Sequence, residues 1–212
     1  MIINHDPEFV MTLQRFIEFI GTFAFALSGI RLAASKHYDW LGGFVCGIAV
    51  AIGGGTIRDV MLGVRPFWML SPIYIICTFF AQCVVIVCHN YLKKLDTTWF
   101  LFDTLGLALF NIAGIQKTLD CGFPFWVAII MGCITGAAGG VIRDVLLNEE
   151  PVIFRKEIYA MACVLGGLVY WLMSWLGVSL YITVVVAFVV VCAIRFLVVR
   201  YHISLPKLRD EE

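Results

Sequence analysis

Long apolar runs alternate with short polar breaks along this chain. Each run has about the length needed to cross a bilayer as a helix, roughly 20 residues. The first covers 11–35 and carries Glu18 and Arg31 inside it. The second covers 38–63 and contains Gly53-Gly54-Gly55. The third is 67–91, and the fourth is 97–119 with Asp103 and Asn111 within it. The fifth is 122–147, with Gly136 and Gly139-Gly140. From 158 to 194 there is no charged residue, a run too long for one helix, and 174–177 is where it is expected to turn. A sixth helix then ends near Trp175 and a seventh covers about 178–200. Lipid offers backbone groups no partners, so each span is expected to be helical.

Composition supports lipid as the solvent. Of 212 residues 61% are hydrophobic and 14% charged, with a mean hydropathy of +0.94. Soluble domains carry nearer a quarter charged residues, and so short a chain has too little interior to hide this much apolar surface. The formal net charge of 0 argues against nucleic-acid binding, which needs a basic surface. The 8 cysteines form no CxxC pair and read as small buried hydrophobes. The first 15 residues hold Asp6, Glu8 and Arg15 rather than a basic n-region, so the first run reads as a retained span.

The basic residues set a sidedness. With loops counted from the N-terminus, Arg31, Lys36, Lys93, Lys94, Arg155, Lys156, Arg195, Arg200, Lys207 and Arg209 gather on one side, and Arg15, Arg65 and Lys117 on the other. The basic side is expected in the cytoplasm, which places the N-terminus outside and the C-terminus inside.

The chain also repeats itself at an offset of 85 residues. Gly53-Gly54-Gly55-Thr56-Ile57-Arg58-Asp59 falls on Ala138-Gly139-Gly140-Val141-Ile142-Arg143-Asp144. The same offset pairs Glu18 with Asp103, Gly21 with Gly106, Phe25 with Phe110, Pro66 with Pro151 and Tyr74 with Tyr159. Each unit holds three helices, so the second copy starts on the opposite side of the membrane, as in many transporters and channels. The expected architecture is all-α and polytopic, with seven transmembrane helices. It comprises a first repeat at 11–94, an inverted second repeat at 95–176, a seventh helix at 177–201 and a cytoplasmic tail at 202–212.

The repeated motif carries the candidate chemistry. Glycine within a span permits a kink, and a break exposes carbonyls that suit a cation. The alternative use of glycine is close helix packing. Arg58-Asp59 and Arg143-Asp144 follow the glycines, and charges at membrane depth are costly unless paired or hydrated. Near helix ends, an arginine could instead snorkel to the headgroups. Inversion puts one arginine near each mouth of a cavity between helices two and five, with the aspartates as counter-charges. Glu18 either belongs to this set or pairs with Arg15 one turn away. Asp103, at the equivalent place on helix four, has no close basic neighbour on its own helix, and Asn111, Gln116, Lys117 and Thr135 either line a polar path or make interhelical hydrogen bonds. Arg155-Lys156-Glu157 reads as a cytoplasmic cap before helix six, where anionic lipid could bind. Histidines are scattered and no metal-ligand spacing occurs. No phosphate loop is present, and the glycine-rich motif lacks a βαβ context. Neither an enzyme nor a cofactor is expected.

At these motifs the chain resembles the prokaryotic branch of the TRIC, or trimeric intracellular cation, channels. GGGTIRDVMLG, FDTLGLALFNIAGIQKTL and GAAGGVIRDVLLNEEPVIFRKEIYA carry the resemblance, which covers about 15–200. It implies a homotrimer in the prokaryotic inner membrane, with a potassium-permeable pore in each protomer lined by kinked helices two and five. Those helices hold Gly53 to Gly55 and Gly139-Gly140 here; Ala138 stands where a third glycine would sit. Related bacterial sequences have been labelled glycine transporters, so transport of a small zwitterion is the alternative. A purely structural or assembly role is a third reading.

Overall fold

In the computed structural model the described residues are 7–88, 98–154, 158–201 and 203. Among them are seven α-helices: α1 (Pro7–Ser35), α2 (Trp40–Met61), α3 (Ile73–Val87), α4 (Thr98–Asp120), α5 (Phe125–Leu146), α6 (Tyr159–Trp175) and α7 (Leu180–Tyr201). The described residues contain no strand. Five helices are long and apolar enough to cross a membrane, while α3 and α6 are shorter apolar helices. The stretches Lys93-Lys94-Leu95-Asp96 and Arg155-Lys156-Glu157 lie outside the described residues, as does most of the tail.

Local chemistry explains the boundaries. The third helix was expected from position 67, but Phe67–Leu70 forms a 3-10 turn and α3 begins only at Ile73. Pro72 is the reason: the residue before a proline is pushed out of the helical region, and Ser71 is extended at φ −155° and ψ 132°. The matching turn in the second repeat is Val152–Phe154, which follows Pro151. Left-handed residues close the helices at equivalent places. His37 (φ 63°) and Gly122 (φ 83°) follow α1 and α4, and Gly63 (φ 70°) and Asn148 (φ 53°) follow α2 and α5. Both members of the second pair are flanked by the same bonds, Val64 N–H to the Asp59 carbonyl at 2.9 Å and Glu149 N–H to the Asp144 carbonyl at 2.8 Å. Gly177 (φ 73°) makes the turn between α6 and α7.

The inversion can be read from side-chain contacts. The helix α1 packs on α4, and α2 on α5. A Cβ on Gly21 would touch the Phe110 ring at 3.0 Å, and one on Gly106 would strike the Phe25 ring. Position numbers therefore rise along α1 as they fall along α4, so the two helices are antiparallel. Phe25 and Phe110, which are repeat mates, stack between them at 5.4 Å and 14°. The second pair obeys the same rule: Gly54 faces the Thr135 carbonyl and Gly139 faces the Val50 carbonyl. Two helix pairs crossing their own repeat mates reciprocally is the signature of a pseudo-two-fold axis.

The loops after α1 and α5 meet at one end of the molecule. Lys36 pairs with Glu149, and the Tyr38 hydroxyl donates to the Leu146 carbonyl at 3.2 Å. The ion pair is solvated, with side-chain exposures of 41% and 32%. A double-mutant cycle with Lys36→Ala and Glu149→Ala should therefore yield a coupling of about 0.2–1 kcal/mol in thermal unfolding. A coupling several-fold larger would mean that this end is far drier than its exposure indicates.

Candidate ion pathway and its buried charge clusters

Three helices and one turn build the first cluster. The last turn of α2 supplies Arg58 and Asp59, both fully buried. Arg58 Nε donates to Asp59 Oδ1 at 2.7 Å, and Nη2 donates to Glu18 Oε1 on α1 at 3.2 Å. The Tyr74 hydroxyl, on α3, donates to Glu18 Oε2 at 3.2 Å. Asp59 Oδ2 accepts the Phe67 N–H at 2.7 Å, so the aspartate ties the arginine to the 3-10 turn. The Phe67 ring lies 5.6 Å from the guanidinium carbon. One guanidinium thus faces two carboxylates. Of the alternatives for Glu18, the structure has the tie to Arg58.

The second cluster repeats the first bond for bond. Arg143 Nε donates to Asp144 Oδ1 at 2.9 Å, and Nη1 donates to Asp103 Oδ1 on α4 at 2.5 Å. The Tyr159 hydroxyl on α6 donates to Asp103 Oδ1 at 3.3 Å, and the Val152 N–H to Asp144 Oδ2 at 2.9 Å. Each of these residues is the repeat mate of its counterpart. Two partners have no counterpart. Ser28 Oγ on α1 accepts from Arg143 Nη1 at 2.8 Å. Arg195 on α7 reaches to 3.8 Å from Asp103 Oδ2 and lies over the Tyr159 and Phe100 rings at 4.5 and 5.0 Å. Here two guanidiniums face two carboxylates.

Neither Arg58 nor Arg143 snorkels; both have zero exposure. Arg195 is also fully buried, which corrects its place among the loop charges that set the sidedness. Arg58 and Arg143 are tolerated out of contact with water because each is paired and hydrogen-bonded, whereas a lone buried charge costs several kcal/mol.

The glycine clusters act differently from a break. Both α2 and α5 continue without interruption through Gly53–Gly55 and Gly136–Gly140. The expected carbonyl-lined break is therefore absent, because the intrahelical bonds are kept and the glycines bring helices together instead. A Cβ on Gly54 would collide with the Thr135 carbonyl oxygen, and one on Gly139 would sit 2.7 Å from the Val50 carbonyl oxygen. Gly136 gives α4 similar access: a Cβ there would lie 2.8 Å from the Leu107 carbonyl oxygen. Gly55 and Gly140 face the clusters and make room for the Phe67 ring and the Tyr159 hydroxyl, while Gly53 faces Ile142. Ala138, at the repeat position of Gly53, lies within unbroken α5.

The remaining candidates are more scattered. Asn111 Nδ2 donates to the Cys163 carbonyl at 3.1 Å, and Thr135 Oγ1 to the Met131 carbonyl of its own helix at 2.6 Å. Lys117 sits in the last turn of α4, away from both clusters in sequence. All eight cysteines are free, and the described residues hold no group of His, Cys, Asp and Glu that could bind a metal. The charge pattern alone missed four partners: Ser28, Tyr74, Tyr159 and Arg195. The two tyrosines were visible as repeat mates, and Arg195 as the first charge after a long apolar run.

Comparison with known proteins agrees with this geometry. The family model described as Glycine transporter matches twice, over residues 15–90 and 100–175, the same displacement that relates the two clusters. The UPF0126 inner membrane protein YadS of Escherichia coli is 37% identical over 94% of this chain and 98% of its own. The UPF0126 membrane protein YvgT of Bacillus subtilis is 36% identical over 82% of this chain and 87% of its own. Among solved structures, a TRIC cation channel is 32% identical and superposes with a TM-score of 0.81, covering 93% of this chain and 98% of that one. The TRIC trimeric intracellular cation channel orthologue from Rhodobacter sphaeroides is 28% identical with a TM-score of 0.83, covering 91% and 100%. These relatives are membrane proteins and channels rather than enzymes. The chain belongs to the prokaryotic TRIC family, and it matches the Glycine transporter model and the UPF0126 membrane proteins over nearly the same residues.

Proposed function

We propose that this protein is a potassium-permeable monovalent cation channel of the bacterial inner membrane. Each protomer of a homotrimer holds its own pathway between α2 and α5, with membrane lipid around the assembly. Residues 11–94 and 95–176 form the two inverted units, and α7 completes the second. The observation that carries the reading is the pair of buried clusters at opposite ends of the α2–α5 crossing. An uncompensated arginine at each mouth would repel potassium by roughly 1 kcal/mol at 4 Å in water, and several-fold more in a drier site. Here the guanidiniums are matched by carboxylates, so the path ends in paired charge. The close contact of Gly54 and Gly139 with the opposing backbones corresponds to a closed conformation. Opening separates α2 from α5 at the glycines. Likeness to TRIC cation channels over nearly the whole chain supports the channel reading and the trimer.

The second reading is a carrier for a zwitterion such as glycine. The family model's description favours it, as does the presence of arginine and carboxylates in one site. Potassium efflux and glycine uptake measured on one proteoliposome preparation separate the two. The channel reading expects potassium efflux without glycine accumulation; glycine uptake with no potassium flux would replace it.

Orientation is the companion prediction. The N-terminus is outside and the C-terminus cytoplasmic, from the basic bias that remains once Arg195 is set aside. In a cysteine-free background, Asp120→Cys should react with an impermeant maleimide in intact cells and Ser35→Cys only after permeabilisation. Reaction of both in intact cells would contradict the assigned inversion, and the reverse pattern would flip the orientation.

A further inference from the structure

The two clusters are equivalent by symmetry but not equally tied. Arg143 engages Asp103, Asp144 and Ser28, and Asp103 is also approached by Arg195 from α7, a helix with no counterpart in the repeat. Among the described residues the side-chain hydrogen bonds of Arg58 go to Glu18 and Asp59 alone. The Arg58–Glu18 bond is long at 3.2 Å, against 2.5 Å for Arg143–Asp103. The missing acceptor has a sequence cause. Ser28 is paired by the 85-residue offset with Ala113 on α4, which has no polar atom to offer Arg58.

We infer that Ser28 and Arg195 are positioning residues that hold the second cluster shut, so that the channel opens at the first cluster, around Arg58. The inference rests on the channel reading above. Its physical basis is the number of charge-assisted bonds that opening must break. Each is worth more than a neutral hydrogen bond, and more so in a dry site. The first cluster has fewer of them: Arg58 is held by two carboxylates, whereas Arg143 is held by two carboxylates and the Ser28 hydroxyl, with Arg195 beside Asp103.

Ala113→Ser tests this directly, because it supplies the first cluster with the hydroxyl that Ser28 supplies to the second. A helical serine can donate to its own i−4 carbonyl while accepting from Arg58. In planar bilayers the full-length variant should show about tenfold lower open probability, the effect of one added hydrogen bond to a charged group in the closed state alone. Single-channel conductance should not change. Ser28→Ala should speed hydrogen–deuterium exchange at 152–154, the turn tied to Asp144, because it removes one of the bonds that hold the second cluster, while the opening at Arg58 leaves open probability to the first cluster. The reverse pattern, with Ser28→Ala opening the channel and Ala113→Ser silent, would overturn the assignment, and so would two silent variants. Hydrogen–deuterium exchange gives a readout that does not depend on conduction. Ala113→Ser should slow exchange at 67–70, whose first amide is held by Asp59, and leave 152–154 unchanged. A parent that carries no potassium current would defeat the channel reading. The same exchange pattern would then still report the unequal clusters, and its absence would overturn the inequality as well.

Discussion

Asp103→Asn is expected to lower the stability of the folded chain by about 3–5 kcal/mol, the cost of breaking a buried pair by removing one partner. Glu18→Gln, the same change at the mate position, should cost only about 1–3 kcal/mol. The difference comes from what is left behind. Without the Asp103 charge, Arg143 keeps Asp144, but Arg195 loses the carboxylate it faces beside the Phe100 and Tyr159 rings, and one carboxylate is left for two buried guanidiniums of this cluster. Without the Glu18 charge, Arg58 still has Asp59 at 2.7 Å and the cluster is balanced. Asparagine and glutamine keep the shape and most of the hydrogen bonding, so the comparison isolates charge. Thermal unfolding in mild detergent, followed by the loss of monodisperse protein, should rank parent, Glu18→Gln and Asp103→Asn in falling order. Equal losses would mean that Arg195 does not contribute to the second cluster.

Gly54→Leu should be the most damaging change on α2, and Gly54→Ala should already be felt. A Cβ at this position meets a backbone carbonyl on α5, which cannot rotate away as a side chain can. Overpacking of this kind costs about 1–3 kcal/mol for small additions, and more where backbones must separate. Forcing α2 from α5 also moves the channel toward its separated state. Gly54→Ala is therefore expected to lower thermal stability and to raise basal potassium leak. Gly63→Ala is the control: a Cβ there meets no atom within 4 Å, although the left-handed backbone (φ 70°) still makes it costly. Lower stability is expected in both variants, but a raised leak only in the first. A Gly54→Ala protein as tight to potassium as the parent would mean that this crossing is not part of the pathway.

Much of the architecture was legible in the residues because lipid enforces simple rules. Run lengths located seven helices and the turn at 174–177 fell where Gly177 is left-handed, whereas Pro72 and Gly122 lay inside the expected runs and in the structure stand outside α3 and α5. The 85-residue offset was the most informative signal. It paired Glu18 with Asp103 and Tyr74 with Tyr159 before any contact was known, and these proved to be equivalent members of two clusters. What the residues could not reveal was how the glycines act. Gly53-Gly54-Gly55 is compatible with a kink or with a close crossing, and the choice depends on what stands opposite, here the Thr135 carbonyl. Arg195 was misread for a related reason. Its distance from the end of α7 resembles that of a snorkelling arginine, and only packing against α4 and α6 makes it a buried partner of Asp103. The role of Ser28 depends wholly on the approach of α5 and has no local signature.

The reversal potential of the purified protein in a planar bilayer tests the central claim most directly. With a tenfold potassium chloride gradient and no other permeant ion, a cation channel should reverse close to the potassium equilibrium potential, and adding glycine to one side should not shift it. A reversal near the chloride potential, or current that appears only with glycine, would contradict the account.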